Sequence, residues 1–321
     1  MFTASISSAR TSVARTSRAR VLSVVSVLAM SVLLTGCPDP VPLGGGGVAT
    51  IAQTYGNCSG PSAGDVIYRF NPEERLDVFP HIAGTSRGTI LFVHGGAFKE
   101  GDKRGNAETC GTPGLASLNM GLLMKQRERG WDIVSVNYRL VTSDPGTLFP
   151  GALIDVVEAV KWAQGLGGQL TGINGSRIVV AGHSAGGTIA ALMGAYSGTT
   201  VLGNQFPGIA GWISVSGILE YGPTYGTDSL INSWVIGNVF GFPTSLAVPA
   251  SNLGAGDPPG YLIQGSADPI VPALGAEALA NFPPNGASIS LDEVRTAPDS
   301  SNHWAIGGAD YYKFIGWLDA R

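Results

Sequence analysis

Short apolar runs alternate with longer amphipathic segments through most of the chain after about residue 60. Runs such as residues 89–95 and 177–183 are almost uninterrupted, as is typical of strands buried on both faces of a sheet. Strands that alternate with helices predict a mostly parallel sheet of about eight strands with helices on both faces, an α/β fold. The predicted strands are residues 66–70, 76–80, 89–95, 132–140, 177–183, 211–217, 260–266 and 289–294, and the predicted helices are residues 115–129, 151–165, 185–196, 272–281 and 309–319.

Two segments depart from this alternation. The first two strands flank the turn sequence NPEER, which predicts an antiparallel hairpin. Residues 218–250 insert between two core strands and contain Tyr221, Tyr225, Trp234, Phe240 and Phe242. We interpret this insertion as a small cap that forms an apolar wall over a site. The alternative is an apolar cluster packed under a long loop.

Residues 1–36 have the composition of an export signal. Four arginines and no acid precede the apolar stretch 21–34, which is shorter than a membrane span. The following LTGC resembles a bacterial lipobox, in which cleavage before Cys37 leaves a lipidated N-terminal cysteine. The alternative is an ordinary signal peptide with an unrelated cysteine. The sequence thus predicts an exported cell-envelope lipoprotein that is anchored to a membrane surface on its periplasmic or outer side.

The remaining chain is predicted to form a Pro- and Gly-rich tether over residues 37–60 and one large domain over residues 61–321. Removing four arginines with the signal changes the net charge from −4 to −8. An acidic chain without a basic cluster argues against nucleic acid as a partner. Cys58 and Cys110 could pair in an exported protein. No zinc-type spacing occurs, so we expect no metal, and nothing indicates an oligomeric state.

The stretch VVAGHSAGGT at 179–188 carries the strongest chemical signal. It lacks the lysine of a phosphate loop, and Ser184 replaces the central glycine of a dinucleotide loop. What remains is G-x-S-x-G between a predicted strand and a predicted helix, the context of a nucleophile elbow. Ser184 is therefore the predicted nucleophile.

A serine nucleophile needs a base, and the chain has four histidines. His183 adjoins the serine, where neighbouring side chains diverge. His94 ends a strand before two glycines and is expected to brace that loop, and His81 is expected at the surface. His303 lies in a polar loop between the last strand and the last helix. Catalytic groups gather in loops at the carboxyl edge of a parallel sheet, so His303 is the predicted base.

The third member of the predicted triad is an acid between Ser184 and His303. Asp268 follows the strand YLIQG in a Pro-bounded loop, which places it at the carboxyl edge of the sheet. The other aspartates fit less well, since they precede that strand, lie within a strand, or lie in a polar loop suited to solvent. They are Asp257, Asp292 and Asp299, respectively.

Acyl transfer also requires donors for an oxyanion. The sequence HGGAF at 94–98 follows a strand with small residues, so its backbone N–H groups can approach a substrate closely. The predicted donors are Gly96 and Ala97, with Gly95 as a further candidate, and Ala185 directly after the nucleophile.

The motifs HGGAF, NYRL (137–140), GHSAGG (182–187), GSADPIVP (265–272) and NHW (302–304), in this order, resemble the α/β-hydrolase fold. More narrowly, they resemble the hormone-sensitive-lipase and small carboxylesterase group, which includes feruloyl-esterase-like and formamidase-like members. The resemblance implies a Ser184–Asp268–His303 triad, the oxyanion donors named above and a structural role for Arg139. The loop reads HGGA rather than HGGG, which favours the carboxylesterase and formamidase members.

The predicted function is hydrolysis of small or aryl carboxylic esters by a serine esterase without a cofactor. The same triad could instead cleave amides or aryl formamides, because the motifs do not distinguish an alcohol from an amine as the leaving group. A third reading is a non-catalytic surface lipoprotein that retains the fold for binding.

Overall fold

The computed structural model describes residues 63–69, 73–103, 122–141, 150–221, 245–294, 303 and 311–321. Within this part of the chain the strands are β1 (Ala63–Ile67), β2 (Arg75–Phe79), β3 (Gly88–Val93), β4 (Trp131–Val136), β5 (Ile178–His183), β6 (Thr200–Val201), β7 (Asn204–Gln205), β8 (Gly211–Val215), β9 (Gly260–Gly265) and β10 (Ile289–Val294). The α-helices are α1 (Gly151–Gln164), α2 (Leu166–Thr171), α3 (Ala185–Ala195), α4 (Pro249–Asn252), α5 (Leu274–Asn281) and α6 (Tyr311–Asp319). Short 3₁₀ turns occupy Lys125–Arg129, Ser245–Ala247 and Pro284–Gly286.

Eight of these strands form one sheet in the order β1-β2-β4-β3-β5-β8-β9-β10. Strand β2 pairs antiparallel with both β1 and β4, and the other neighbouring strands pair in parallel. Strands β6 and β7 form a separate small hairpin. The predicted mostly parallel α/β sheet and its N-terminal hairpin are both confirmed.

The sheet is buried on both faces by helices. Val180 of β5 belongs to an apolar cluster with Val156 of α1 and Ile189 of α3. Its neighbour Val179 points to the other face, where it shares a cluster with Phe314 of α6. Because successive side chains of a strand alternate between faces, both faces of β5 must be apolar. This explains why the central strands read as continuous apolar runs.

The structure differs from the predicted elements at several ends. Strand β1 lies three residues earlier than predicted and contains an irregularity between Ala63 and Val66. Strand β4 ends at Val136, and the N–H of the next residue, Asn137, still donates to the carbonyl of Arg75 in β2. Helix α2 was not predicted, since its sequence LGGQLT is rich in glycine. It ends at Thr171 and is capped by Gly172, whose φ of 75° favours glycine.

The predicted signal, the tether and all three cysteines (Cys37, Cys58 and Cys110) lie outside the described residues. The same holds for residues 222–244, the central part of the predicted cap. Among the helices that the structure describes, none combines the length and apolar character needed to cross a bilayer.

Strand β10 forms one end of the sheet. Its strand partner among the described residues is β9, with which it pairs in parallel. On α6, the ammonium group of Lys313 donates a hydrogen bond to the carbonyl oxygen of Leu291 in β10. The edge strand is thus tied to the last helix.

Candidate active site

Ser184 occupies a sharp turn between β5 and α3. Its φ of 51° and ψ of −118° lie in a region that costs a non-glycine residue about 1–3 kcal/mol. The backbone N–H of Ser184 donates to the carbonyl of Val215 at 2.8 Å, which holds the turn against β8. The strand–turn–helix context predicted for G-x-S-x-G is present.

The glycines around Ser184 make close backbone approach possible. A Cβ on Gly182 would lie 2.1 Å from the carbonyl oxygen of Gly186, and a Cβ on Gly187 would lie 2.8 Å from Ser214 Oγ. Real Cβ contacts are not this short, so any side chain at these positions would push α3 away from the sheet. The first turn of α3 therefore stays close to the strands that carry the site.

The side chain of Asp268 is fixed by four hydrogen bonds in the loop after β9. Its Oδ1 accepts from the N–H groups of Ile270 at 2.8 Å and Val271 at 2.9 Å. Its Oδ2 accepts from Gln264 Nε2 at 3.3 Å and is 2.7 Å from His303 Nδ1. The side chain is fully buried. A buried carboxylate held by this many donors keeps one orientation.

His303 is brought to this carboxylate from the C-terminal loop, and it is 1% exposed. Since the Asp268 carboxylate accepts, Nδ1 carries the proton and Nε2 presents a lone pair when the ring is neutral. The ring centroid lies 5.0 Å from that of His183. Ser184 Oγ has no hydrogen-bond partner among the described residues, so Ser184 and His303 are not hydrogen-bonded here. Contacts of this kind are often long before substrate binds.

The loop after β3 is braced by His94, as expected from the sequence. Its Nδ1 donates to the carbonyl of Gly95 at 2.7 Å, and its ring stacks on Tyr138 with centroids 4.4 Å apart. The hydroxyl of Tyr138 donates to the carbonyl of His94 at 3.0 Å. Burial lowers the pKa of His94 to about 4, so the ring is neutral at pH 7.

The same loop continues through three residues with positive φ, namely Gly96 at 110°, Ala97 at 50° and Phe98 at 66°. A Cβ on Gly96 would lie 1.9 Å from the carbonyl oxygen of Glu100, so this position requires glycine. Alanine and phenylalanine in this region are strained, which is typical of functional loops.

Two of the predicted oxyanion donors flank Ser184 directly. A Cβ on Gly95 would lie 3.2 Å from Ser184 Cβ, and Ala185 is the first residue of α3. Gly96 and Ala97 follow Gly95 along the loop. Within the described residues, no oxygen accepts a hydrogen bond from the N–H of Gly96, Ala97 or Ala185. These donors are available to a ligand.

Arg139 of NYRL has the structural role that the resemblance implied. Its guanidinium binds the buried carboxylate of Asp155 through Nε at 2.9 Å and Nη2 at 2.7 Å, and its backbone N–H donates to the same group. Arg69 Nη1 lies 3.4 Å from Oδ1 of the same carboxylate. The pair thus fixes the chain after β4 to α1.

The prediction for His81 is wrong in part. Its side chain is 24% exposed, but its Nδ1 lies 2.8 Å from the buried carboxylate of Asp132. That carboxylate also accepts hydrogen bonds from Ser86 Oγ and from the N–H of Asn174. Asp132 lies at the start of β4, so this network belongs to the edge of the sheet opposite Ser184.

Sequence reasoning missed two polar residues at the site. Gln264 donates to Asp268, and a polar residue inside the apolar strand YLIQG was a usable signal for it. His183 contacts the backbone of His303, and no local pattern predicts a contact across 120 residues. The described residues contain no group of three or more His, Cys, Asp and Glu that could hold a metal ion.

Comparison with known proteins gives local sequence similarity to enzymes. The chain is 38% identical over 106 residues to "Esterase LipI" of Mycobacterium tuberculosis and 37% identical over 109 residues to "Lipase 2" of Moraxella sp. strain TA144. These matches cover 32% and 34% of this chain. They cover 28% and 22% of the two relatives, so the chain spans only a minor part of their length.

Solved structures show the same fold over most of the chain. A truncated carbohydrate esterase from gut microbiota superposes with a TM-score of 0.64 at 18% identity, covering 80% of this chain and 94% of that one. Esterase B from Lactobacillus rhamnosis superposes with a TM-score of 0.62 at 18% identity, covering 85% and 92%. The family model BD-FAE matches residues 76–282, well over half of the chain. The strand order, the elbow and this match agree: the chain belongs to the BD-FAE family of the α/β-hydrolase fold.

Proposed function

We propose that the protein is a serine carboxylesterase that hydrolyses small or aryl carboxylic esters through an acyl-enzyme. The observation that carries the proposal is the 2.7 Å hydrogen bond between His303 Nδ1 and Asp268 Oδ2, buried beside the strained turn of Ser184. A tautomer fixed in this way leaves Nε2 of His303 as the proton acceptor that a serine nucleophile requires. Local similarity to proteins named esterase and lipase supports the same chemistry.

In the proposed reaction, Ser184 Oγ attacks the ester carbonyl carbon while His303 Nε2 takes the hydroxyl proton. The negative charge that develops on the carbonyl oxygen is stabilised by the backbone N–H groups of the loop Gly95, Gly96 and Ala97 and of Ala185. His303 then gives its proton to the leaving alcohol, and water hydrolyses the acyl-enzyme by the reverse proton path. Loss of one oxyanion donor costs about 10²–10³-fold in turnover in such sites.

A fluorophosphonate probe tests the nucleophile. We expect the wild-type protein to be labelled, Ser184→Ala to lose the label, and the exposed Ser176→Ala to keep it. Ser176 is a matched control because it precedes β5 at the opposite edge of the sheet. No labelling of the wild type contradicts the esterase proposal, and equal labelling of Ser184→Ala contradicts the choice of nucleophile.

A panel of p-nitrophenyl esters with increasing acyl length, together with an aryl formamide, tests the substrate class. We expect kcat/KM to be highest for a short or aryl ester. A formamide that is turned over faster than every ester would instead assign the protein to formamide hydrolysis with the same triad.

We also propose that the mature protein is anchored to the bacterial cell envelope through lipid on Cys37. The support is the basic and apolar leader followed by LTGC. Cys37→Ser is expected to move the protein from the membrane fraction to the soluble fraction, whereas Cys58→Ser leaves it there. Unchanged partitioning of Cys37→Ser contradicts the anchor.

A further inference from the structure

His183 adjoins the nucleophile along the chain and contacts the base in space. It is the last residue of β5, directly before Ser184, and its backbone is in register with Val215 of β8. It is 5% exposed, so its ring is enclosed by protein. The reaction proposed above gives this buried imidazole no role.

The ring of His183 reaches the backbone of His303. Its Nε2 lies 3.1 Å from the His303 carbonyl oxygen. A carbonyl oxygen only accepts hydrogen bonds, so Nε2 of His183 must carry the proton. This hydrogen bond joins the strand that presents Ser184 to the loop that presents His303.

The other nitrogen of the same ring, Nδ1, faces the loop after β3. A Cβ on Gly95 would lie 2.8 Å from Nδ1 of His183, so glycine there leaves room for the imidazole. The His183 ring therefore fills the space between the proposed oxyanion loop and the base. Burial, and secondarily the charge of His303, lower the pKa of His183 to about 3. A neutral donor adds no positive charge that would oppose proton uptake by His303.

We propose that His183 is a positioning residue that fixes the backbone of His303 relative to the Ser184 turn. Asp268 holds the imidazole of His303 through Nδ1, which sets the tautomer and the rotation of the ring. The hydrogen bond from His183 holds the carbonyl of the same residue and so sets where the ring is placed. The inference rests on the proposed esterase function.

Two complementary substitutions test it. His183→Phe keeps a ring of similar size and removes the donor, whereas His183→Gln keeps an N–H donor and removes the ring. We expect kcat of His183→Phe to fall by about 10²-fold, as for a base displaced by about 1 Å, with KM changed by less than about 3-fold. His183→Gln is expected to recover at least a tenth of the wild-type kcat.

His81→Phe is the matched control, because it removes a histidine hydrogen bond to Asp132 at the far edge of the sheet and is expected to leave kcat unchanged. A wild-type kcat in His183→Phe, or equal losses in His183→Phe and His183→Gln, would overturn the proposal. An inactive, unlabelled wild type would instead refute the esterase function.

A measurement on the wild-type protein serves if the variants do not fold. In ¹⁵N spectra of labelled histidines, His183 is expected to be a neutral, Nε2-protonated ring between pH 5 and pH 8. A ring protonated at Nδ1 alone would refute the hydrogen bond to His303, whatever the activity.

Discussion

Gly186 and Val93 meet through their backbones where α3 begins and β3 ends. A Cβ on Gly186 would lie 2.1 Å from the Val93 carbonyl oxygen and 2.6 Å from that of His94. The glycine that closes the G-x-S-x-G motif is therefore also the residue against which the proposed oxyanion loop rests. The turn of the nucleophile and the loop of the oxyanion donors share this contact.

Gly186→Ala is expected to lower both activity and stability. Helix propensity alone favours alanine by about 1 kcal/mol, but backbone displacement to admit the methyl group costs about 1–3 kcal/mol. Gly316→Ala is the matched control, because Gly316 is also helical and a Cβ there meets no atom within 4 Å. We expect kcat/KM of Gly186→Ala to fall at least 10-fold and Gly316→Ala to be active and slightly more stable in urea denaturation. Wild-type activity in Gly186→Ala contradicts the shared contact.

Asp268→Asn is expected to reduce kcat by about 10⁴-fold while the fold is retained. The amide would favour the wrong tautomer of His303, so Nε2 would no longer accept the serine proton. Asp257→Asn is the control, since Asp257 accepts a hydrogen bond from Gly254 in the loop before β9, away from His303. Circular dichroism and steady-state kinetics on both variants decide the point. Near-full activity of Asp268→Asn would assign the acid role elsewhere.

Stability is expected to fall on acidification below pH 6.5. Burial lowers the pKa of His94 from 6.5 to about 4, so the unfolded chain binds a proton that the folded protein resists. The stabilisation from neutral His94 is complete above pH 6.5 and is lost as the pH falls toward 4. The pKa of His183 is lowered to about 3, so its contribution to stability is lost in the same way as the pH falls toward 3. Each histidine contributes a slope of at most about 1.4 kcal/mol per pH unit.

Urea denaturation between pH 7.5 and pH 4.5 measures this slope. His94→Gln removes one of the two buried imidazoles whose pKa is lowered, so its unfolding free energy is expected to depend less steeply on pH than that of the wild type. The absolute stability of the variant does not matter for this comparison. An unchanged slope means that His94 is not kept neutral by burial.

Arg139→Leu is expected to destabilise the protein by about 3 kcal/mol, because it leaves the buried carboxylate of Asp155 with one partner fewer. Arg87→Ala breaks an ion pair with Asp319 in which both side chains are about one third exposed, and it is expected to cost less than about 1 kcal/mol. Neither variant is expected to change kcat in the folded protein. A loss of kcat in Arg139→Leu without a loss of stability contradicts the structural role.

Much of this fold was predictable because its signals are local. The strand β10 coincides with the predicted residues 289–294, and α1 and α3 each end one residue before their predicted ends. Apolar residues form short continuous runs in a buried parallel strand and recur every three to four residues in a helix packed on it. Both patterns are visible in the sequence. Glycine-rich α2 was missed because tertiary packing overrides propensity in a short helix.

The site residues were predictable only where their position relative to a predicted strand left few candidates. Asp268 stood out because it is the third residue after the end of β9, at the edge of the sheet where the parallel strands have their carboxyl ends. The hydrogen bond from His183 to His303 has no such signal, since it depends on how the end of β5 meets a loop 120 residues away. The contact of His81 Nδ1 with the Asp132 carboxylate could not be predicted for the same reason.

The bond between Lys313 and the carbonyl of Leu291 has a consequence for self-association. An exposed edge strand offers free backbone groups to strands of other copies, which is the usual route to fibrous aggregates. Lys313 both occupies one carbonyl of β10 and places a charge beside that edge. A second copy would have to desolvate this ammonium group before its strand could dock. This lysine on the last helix therefore disfavours the pairing of a further strand with β10.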